Sequence, residues 1–387
     1  MTRVTTPLPH AAQPTGLRIG ERLRQLRVAA GLTQTDLAGE RCSKEYVSQI
    51  ERGKTRPTSE TIEWLAGRLG VDAGFLAHGL STDDRGRVEA GLARAEALLE
   101  SEHLDEAVEA FAALHGAVLA TGMPELEVKS LTGSSRAEMR LGDVRSAIEQ
   151  LTRARALVEG TSFSDIERAD VLFLLGVCRY KLSSIQTALG LLNEAFVLAE
   201  RSELPSDRLR SDILHWRSRC YRRQRDFEAA REDVELALEL ATGLHDGRML
   251  GHLYFQASIV AERQGHWVLA RGYAERAKAQ YEELADRESV GRLLNNLGGL
   301  NALLGKPEQA VELLKDAFRI ALEVGNDADA AQAVSSLAQV HLRAGEPARA
   351  EEQARHALRL LDGRDDYLDE IGNAQLVLGR ALLEQDR

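Results

Sequence analysis

Apolar residues recur at helical spacing from the first ordered-looking stretch of the chain. In LRIGERLRQLRVAAG, which begins at Leu17, the residues Ile19, Leu23, Leu26 and Ala30 fall on one face, and Gly31 ends the run. LTQTDLAGE follows, with Thr33 in an N-cap position and Asp36 three residues on, close to a capping box. Ser43 begins a third helix, Lys44 to Arg52, closed by Gly53. Its Val47 and Ile50 are core positions, whereas Lys44, Glu45, Tyr46, Ser48 and Gln49 carry hydrogen-bonding groups on the other side. RPTSETIEWLAGRLGV supplies a fourth helix, capped by Thr58 or Ser59, with Ile62, Leu65, Ala66 and Leu69 inward. DAGFLAHG gives a short fifth helix. Five short helices, the second and third joined by a minimal turn, make a compact helical domain over 16–78.

Beyond it the pattern changes from short helices to a long repeat. The cassettes HLDEAVEAF, DVRSAIEQL, SIQTALGLL, DFEAAREDV, HWVLARGYA, KPEQAVELL and EPARAEEQA each carry an alanine: Ala107, Ala147, Ala188, Ala230, Ala270, Ala310 and Ala350. Their spacings are 40, 41, 42, 40, 40 and 40 residues. A fixed period of this length means stacked copies of one supersecondary unit. A small residue sits twelve or thirteen positions before the alanine, as in Leu175-Gly176, Leu297-Gly298 and Leu337-Ala338. Gly142, Gly265, Gly305 and Gly345 mark the turn between the two helices of a unit. The expected organisation is a disordered tail over 1–15, a helical domain over 16–78, a linker over 79–87, and about seven repeats over 88–387. A final helix over 372–385 would cap the stack.

Composition narrows the function classes. The 387 residues hold 44% hydrophobic and 28% charged residues with only 8 prolines, as suits a largely helical globular protein. No run of eighteen apolar residues exists, so no membrane span is expected. MTRVTTPLPHAAQPTG has neither an apolar core nor a cleavage pattern and is not read as a signal peptide. Three scattered cysteines, Cys42, Cys178 and Cys220, suit a reducing, cytoplasmic setting and suggest neither disulfides nor zinc. With no GxxxxGK loop, no HExxH and scattered histidines, no catalysis, metal or cofactor is expected. The net charge of −11 is uneven: residues 16–80 hold 10 Lys/Arg against 8 Asp/Glu, and residues 81–387 hold 38 against 52. The head can approach a polyanion more readily than the body.

The residues GLTQTDLA…SKEYVSQIERGKTRPTSETIEWLAGRLGV resemble the XRE (Cro/C1-type) helix-turn-helix family across 17–78. That resemblance implies double-stranded DNA as partner. It carries a phosphate-anchoring role to Gln34 at a helix start, and base reading in the major groove to Lys44, Glu45 and Gln49. Ser43, Tyr46, Ser48, Arg52 and Lys54 fall at DNA-contact or backbone positions in the same pattern. The turn AGERCS is one residue shorter than the common AEKLGVS form and lacks its glycine. With a tyrosine after two polar residues, it is similar to the peptide-responsive RRNPP regulators.

The repeats resemble tetratricopeptide units, with a period longer than the usual one of about 34. The resemblance implies an all-α solenoid that binds a ligand along the surface of its first helices. Counted from the alanines, that surface would carry Arg136, Arg140, Lys181, His215, Arg219, Arg223 and Arg263, with Asn295 and Asn296 beside them. Arginines could fork onto the carboxylates of a short peptide, and asparagines could bracket its backbone. The same arginines also suit ordinary pairing with acidic neighbours. The expected function is therefore a homodimeric transcriptional regulator sensing a short peptide or protein ligand. The alternative is an adaptor in which the repeats bind a protein partner and the helix-turn-helix tethers it to DNA.

Overall fold

The computed structural model describes residues 19–79, 81–160, 163–362 and 367–386, all of them helix, turn or connection without a strand. The expected tail, 1–15, lies outside the described residues. The chain divides into two compact units, Met1–Leu182 and Ser183–Arg387.

The first unit opens with α1 (Ile19–Ala29), α2 (Gln34–Ala38), α3 (Lys44–Glu51), α4 (Ser59–Leu69) and α5 (Ala73–His78). Polar caps set where these begin. Thr33 and Asp36 form a reciprocal capping box, and Ser43, Thr58 and Asp72 each accept a backbone N–H of the first turn. Gly70 and Gly79 end α4 and α5 in the left-handed conformation. Leu23, Leu37, Val47, Ile50, Leu65 and Leu76 close a core in which none is more than 1% exposed. α1 and α3 approach so closely that a Cβ on Gly20 would collide with the carbonyl oxygens of Ile50 and Glu51.

The same unit continues with α6 (Thr82–Glu100), α7 (Leu104–Thr121), α8 (Pro124–Leu141), α9 (Val144–Val158) and α10 (Asp165–Lys181). Most of the stretch 79–87 expected as a linker is thus helical. Ser81 caps α6 by accepting the Asp84 N–H at 3.1 Å, so the helix starts there and not at 88.

The second unit holds α11 (Ile185–Arg201), α12 (Asp207–Arg223), α13 (Phe227–Thr242), α14 (Gly247–Arg263) and α15 (Trp267–Glu283). It ends with α16 (Arg287–Leu303), α17 (Pro307–Glu323), α18 (Asp327–Arg343), α19 (Pro347–Leu360) and α20 (Leu368–Leu383). α20 stands where the capping helix was expected, starting about a turn earlier than 372.

The repeat is literal in three dimensions. The seven period-setting alanines are each 0% exposed, and within each unit a larger side chain there would crowd the neighbouring helix. Twelve residues before each comes a buried small residue: Ala95, Ser135, Gly176, Ser218, Ser258, Gly298 or Ala338. A Cβ on Gly298 would lie 2.6 Å from Leu314 Cγ. Where serine occupies the position, its hydroxyl is satisfied internally: Ser218 donates to the Ala230 carbonyl at 2.7 Å. Five residues before each alanine the backbone turns left-handed, at Glu102, Gly142, Ser183, Arg225, Gly265, Gly305 and Gly345. The long period has a simple cause. α16 and α17 span 17 residues each, which together is as long as an ordinary whole repeat of about 34.

Candidate nucleic-acid interface and solenoid sites

α3 is two-sided as its spacing requires. Val47 and Ile50 are fully buried, while Lys44, Glu45 and Gln49 are exposed and Tyr46 and Ser48 are half-buried. At the helix N-terminus Ser43 Oγ accepts the Tyr46 N–H at 3.1 Å. Ser43 is therefore first of all a cap. Gln49 Oε1 accepts from Thr55 Oγ1 at 3.0 Å, a bond between exposed groups that a base edge could replace. Beyond the helix end, Arg52 and Lys54 are exposed, and Arg56 beside them adds a cation that the sequence reading did not include.

The orientation of α3 is fixed by a part-buried polar clamp. Arg27 Nε and Nη2 donate to the two Glu51 oxygens at 2.6 and 3.2 Å, and Arg27 Nη1 donates to the Leu32 carbonyl at 2.8 Å. Gln34 Nε2 donates to Glu51 Oε2 at 2.7 Å. Side-chain exposures of 12% for Arg27 and 4% for Glu51 leave this part-buried pair largely out of solvent at the edge of the core. Burial pushes the Glu51 carboxyl up, but the bonds from Arg27 and Gln34 and the charges of Arg27 and Arg24 outweigh it and hold the carboxyl below its usual value. Gln34, expected to anchor a phosphate, thus commits its amide nitrogen to tying the start of α2 to the end of α3. No sequence motif signals this clamp, because its three members lie 24 and 17 residues apart.

The residues expected to bind an effector fall into both units. In the first, Arg136 Nη2 donates to both Asp170 oxygens at 2.7 and 2.6 Å. Arg140 donates to the Leu99 carbonyl at 3.0 Å and to Glu102 at 2.9 Å, and Lys181 donates to the Met139 carbonyl at 3.1 Å. These cations meet acceptors of neighbouring repeats, so the positive charge read from the sequence is largely answered there.

In the second unit, Asp212, His215, Trp216, Arg219, Met249, His252 and Leu253 surround a cavity of about 270 Å³. The Arg219 guanidinium lies 4.2 Å from the centre of the Trp216 ring, and the His215 and His252 rings are 6.4 Å apart. Burial, then the charges of Arg219, His252 and Arg222, hold the His215 imidazole well below its usual pKa, so it is neutral at pH 7. Arg223 donates to Ser183 Oγ at 3.2 Å, and Arg263 is exposed. Asn296 accepts from Ser258 at 3.0 Å and donates to Glu262 at 3.4 Å, whereas Asn295 keeps a buried Oδ1 with no hydrogen bond. Burial raises the Cys178 and Cys220 thiols to about 11, which leaves them protonated and poor nucleophiles at neutral pH.

Residues 18–78 match the helix-turn-helix domain family, and residues 133–205, 211–242 and 289–363 match tetratricopeptide repeat families. Over 65 residues the chain is 40% identical to the HTH-type transcriptional regulator DdrOP3 of Deinococcus deserti. That match covers 16% of this chain and half the length of the regulator. Among solved structures, the apo form of the quorum sensor NprR from B. thuringiensis superposes with a TM-score of 0.58 at 14% identity, over 77% of this chain and 82% of its own. A Rap protein complexed with Competence and Sporulation Factor gives 0.51 at 16% identity, over 95% and 99%. Identities this low speak for a shared fold. The chain joins an XRE-type helix-turn-helix domain to a series of tetratricopeptide repeats.

Proposed function

We propose that the protein is a sequence-specific DNA-binding transcriptional regulator whose repeats sense a ligand, a short peptide by preference. The observation that carries the first half is α3. It exposes Lys44, Glu45 and Gln49 over a fully buried Val47 and Ile50, and its angle is set by the Arg27–Glu51–Gln34 clamp. Exposed Arg52, Lys54 and Arg56 would meet phosphates, and Gln49 and Lys44 would meet base edges. One such head covers a half-site, so the regulator acts as a homodimer in the cytoplasm. The match to DdrOP3, a transcriptional regulator, supports this reading of the head. For the repeats, the fold shared with NprR, a quorum sensor, supports a sensing role, with the Arg219–Trp216–His215 cavity as the anchoring point in the second unit.

Gel shifts on selected and scrambled duplexes test the head. Gln49→Ala and Lys44→Ala should weaken the selected site by about 1–3 kcal/mol each and leave the scrambled one unchanged. Arg52→Ala should weaken both alike. Equal losses on both duplexes for Gln49→Ala would remove its base-reading role. For the repeats, Arg219→Ala with Arg223→Ala should abolish the effector's influence on DNA binding while the helical circular dichroism is kept.

The adaptor reading has one observation in its favour. Trp267, Val268 and Leu269 at the start of α15 are 40%, 70% and 48% exposed, an apolar step that a protein partner could cover. Replacing all three with serine would abolish partner capture by an adaptor and leave a peptide sensor responsive.

A further inference from the structure

Among the described residues, Glu138, Asp233 and Glu351 carry carboxylates on residues less than a tenth exposed. Two of the three are answered by an arginine. Arg217 forks onto Asp233 at 2.7 and 2.6 Å, and Arg355 and Gln385 meet Glu351 at 2.5 and 2.9 Å. Glu138 on α8 is different. Its Oε1 accepts from Gln150 Nε2 on α9 at 2.6 Å, and Ser134 lies close enough to favour the ionised form. Its Oε2 nevertheless has no hydrogen-bond partner, and neither has the buried Oε1 of that same Gln150. Two buried acceptors, one of them a carboxylate, are thus left without a donor, an arrangement that costs stability unless something supplies one.

Both residues line a cavity of about 440 Å³ between α7, α8 and α9, within the size range of small-ligand sites. Phe111 and Leu131 give it an apolar wall, and Ser130 and Ser134 add hydroxyls next to the carboxylate. The neighbouring cation, Arg153, is already bound to Glu127 at 2.6 Å. With Glu149 a second carboxylate and His115 the one imidazole of its lining, a donor-rich cation with an apolar body complements the acceptor side of this site: charge for Glu138, N–H for Gln150, hydrocarbon for Phe111 and Leu131. An anion would meet like charge and two lone pairs.

We propose that this cavity is a binding site for an ammonium or guanidinium group borne on a short apolar body, with Glu138 and Gln150 as its acceptors. It is distinct from the arginine and asparagine positions assigned to an effector. It also holds or fails independently of DNA binding. Burial, with Asp143 second, lifts the Glu138 carboxyl to about 7, so its ionised form is disfavoured there and a cationic guest relieves that.

Calorimetric titration of the full chain with n-hexylammonium, hexylguanidinium, 1-hexanol and a capped Ala-Leu-Lys tripeptide tests it. The expected result is saturable binding at one site per chain by at least one of the three cationic guests, at least tenfold tighter than hexanol. Glu138→Gln should weaken it at least tenfold, and Gln150→Met, which leaves the carboxylate in place, should weaken it measurably. The tighter of the free cations and the tripeptide identifies whether a small molecule or a lysine side chain supplies the group. No saturable binding of any cation, hexanol binding as well as the cations, or unchanged affinity in Glu138→Gln would each overturn the proposal.

Discussion

Replacing Glu51 with Gln removes one charge from the edge of the helix-turn-helix core and keeps its volume. Arg27, 12% exposed in its side chain, is then left with a cation and no counter-charge. Gln34 retains an acceptor in the new amide, so the loss is confined to the ion pair. Breaking a buried pair from one side costs about 3–5 kcal/mol, against about 0–1 for a surface pair. With the pair part-buried, a cost up to the low end of the buried range, at most about 3 kcal/mol, is expected. Amide hydrogen exchange on the full chain, read peptide by peptide over 19–79, measures the local opening free energy. A loss of that size speeds exchange in α1 and α3 roughly 100-fold, with the repeats unaffected. The pair also has a pH signature. A carboxyl held below its unfolded value contributes stability that is fully present above about pH 4.3 and lost as pH falls through the depressed folded value. The acid limb of the domain's stability should therefore flatten in Glu51→Gln. A cost below about 1 kcal/mol, or an unchanged acid limb, would refute the clamp account.

Gly20→Ala should destabilise the same domain by about 1–3 kcal/mol, because the new methyl meets the backbone carbonyls of Ile50 and Glu51, which cannot rotate aside; exchange over α1 checks it. Arg225→Gly should stabilise the second unit by up to about 1 kcal/mol, since Arg225 holds a left-handed φ of 65° where four sister repeats use glycine; the urea midpoint reads the change. Glu138→Gln should remove a pH dependence. A carboxyl raised to about 7 stabilises fully below about pH 4.3, and that contribution is lost as pH rises toward 7. The variant should then match the parent at pH 4.5 and exceed it by up to a few kcal/mol at pH 8, as thermal melts at the two pH values would show.

The elements of this chain were readable wherever the signal is local. Caps at Thr33, Ser43 and Thr58 and the alternation of Val47 and Ile50 with polar residues sit within a few positions of one another, so they fix α2, α3 and α4. The seven alanines announced the repeat because a buried contact recurring every 40 residues writes itself into the sequence. What escaped was partnership across space. Arg136 gave no sign that Asp170, 34 residues on, would pair with it, and Gln34 gave none that its amide would reach Glu51. Glu138 gave no signal, because a glutamate in a helix is usually solvated, and only packing against α9 reveals that it is buried. The left-handed turns at Glu102, Ser183 and Arg225 were missed for a related reason: glycine marks such a turn, and its absence does not forbid one.

Selection of genomic fragments by the full chain, from a pool also holding scrambled competitors, tests the central claim most directly. The account predicts enrichment of imperfect palindromes whose half-sites lie about 34 Å, or a multiple of that, apart. It also predicts that Gln49→Ala loses the enrichment while still retaining salt-sensitive binding to any duplex. Recovery of fragments with no common sequence, or of the same fragments by Gln49→Ala, would contradict the claim that α3 reads DNA.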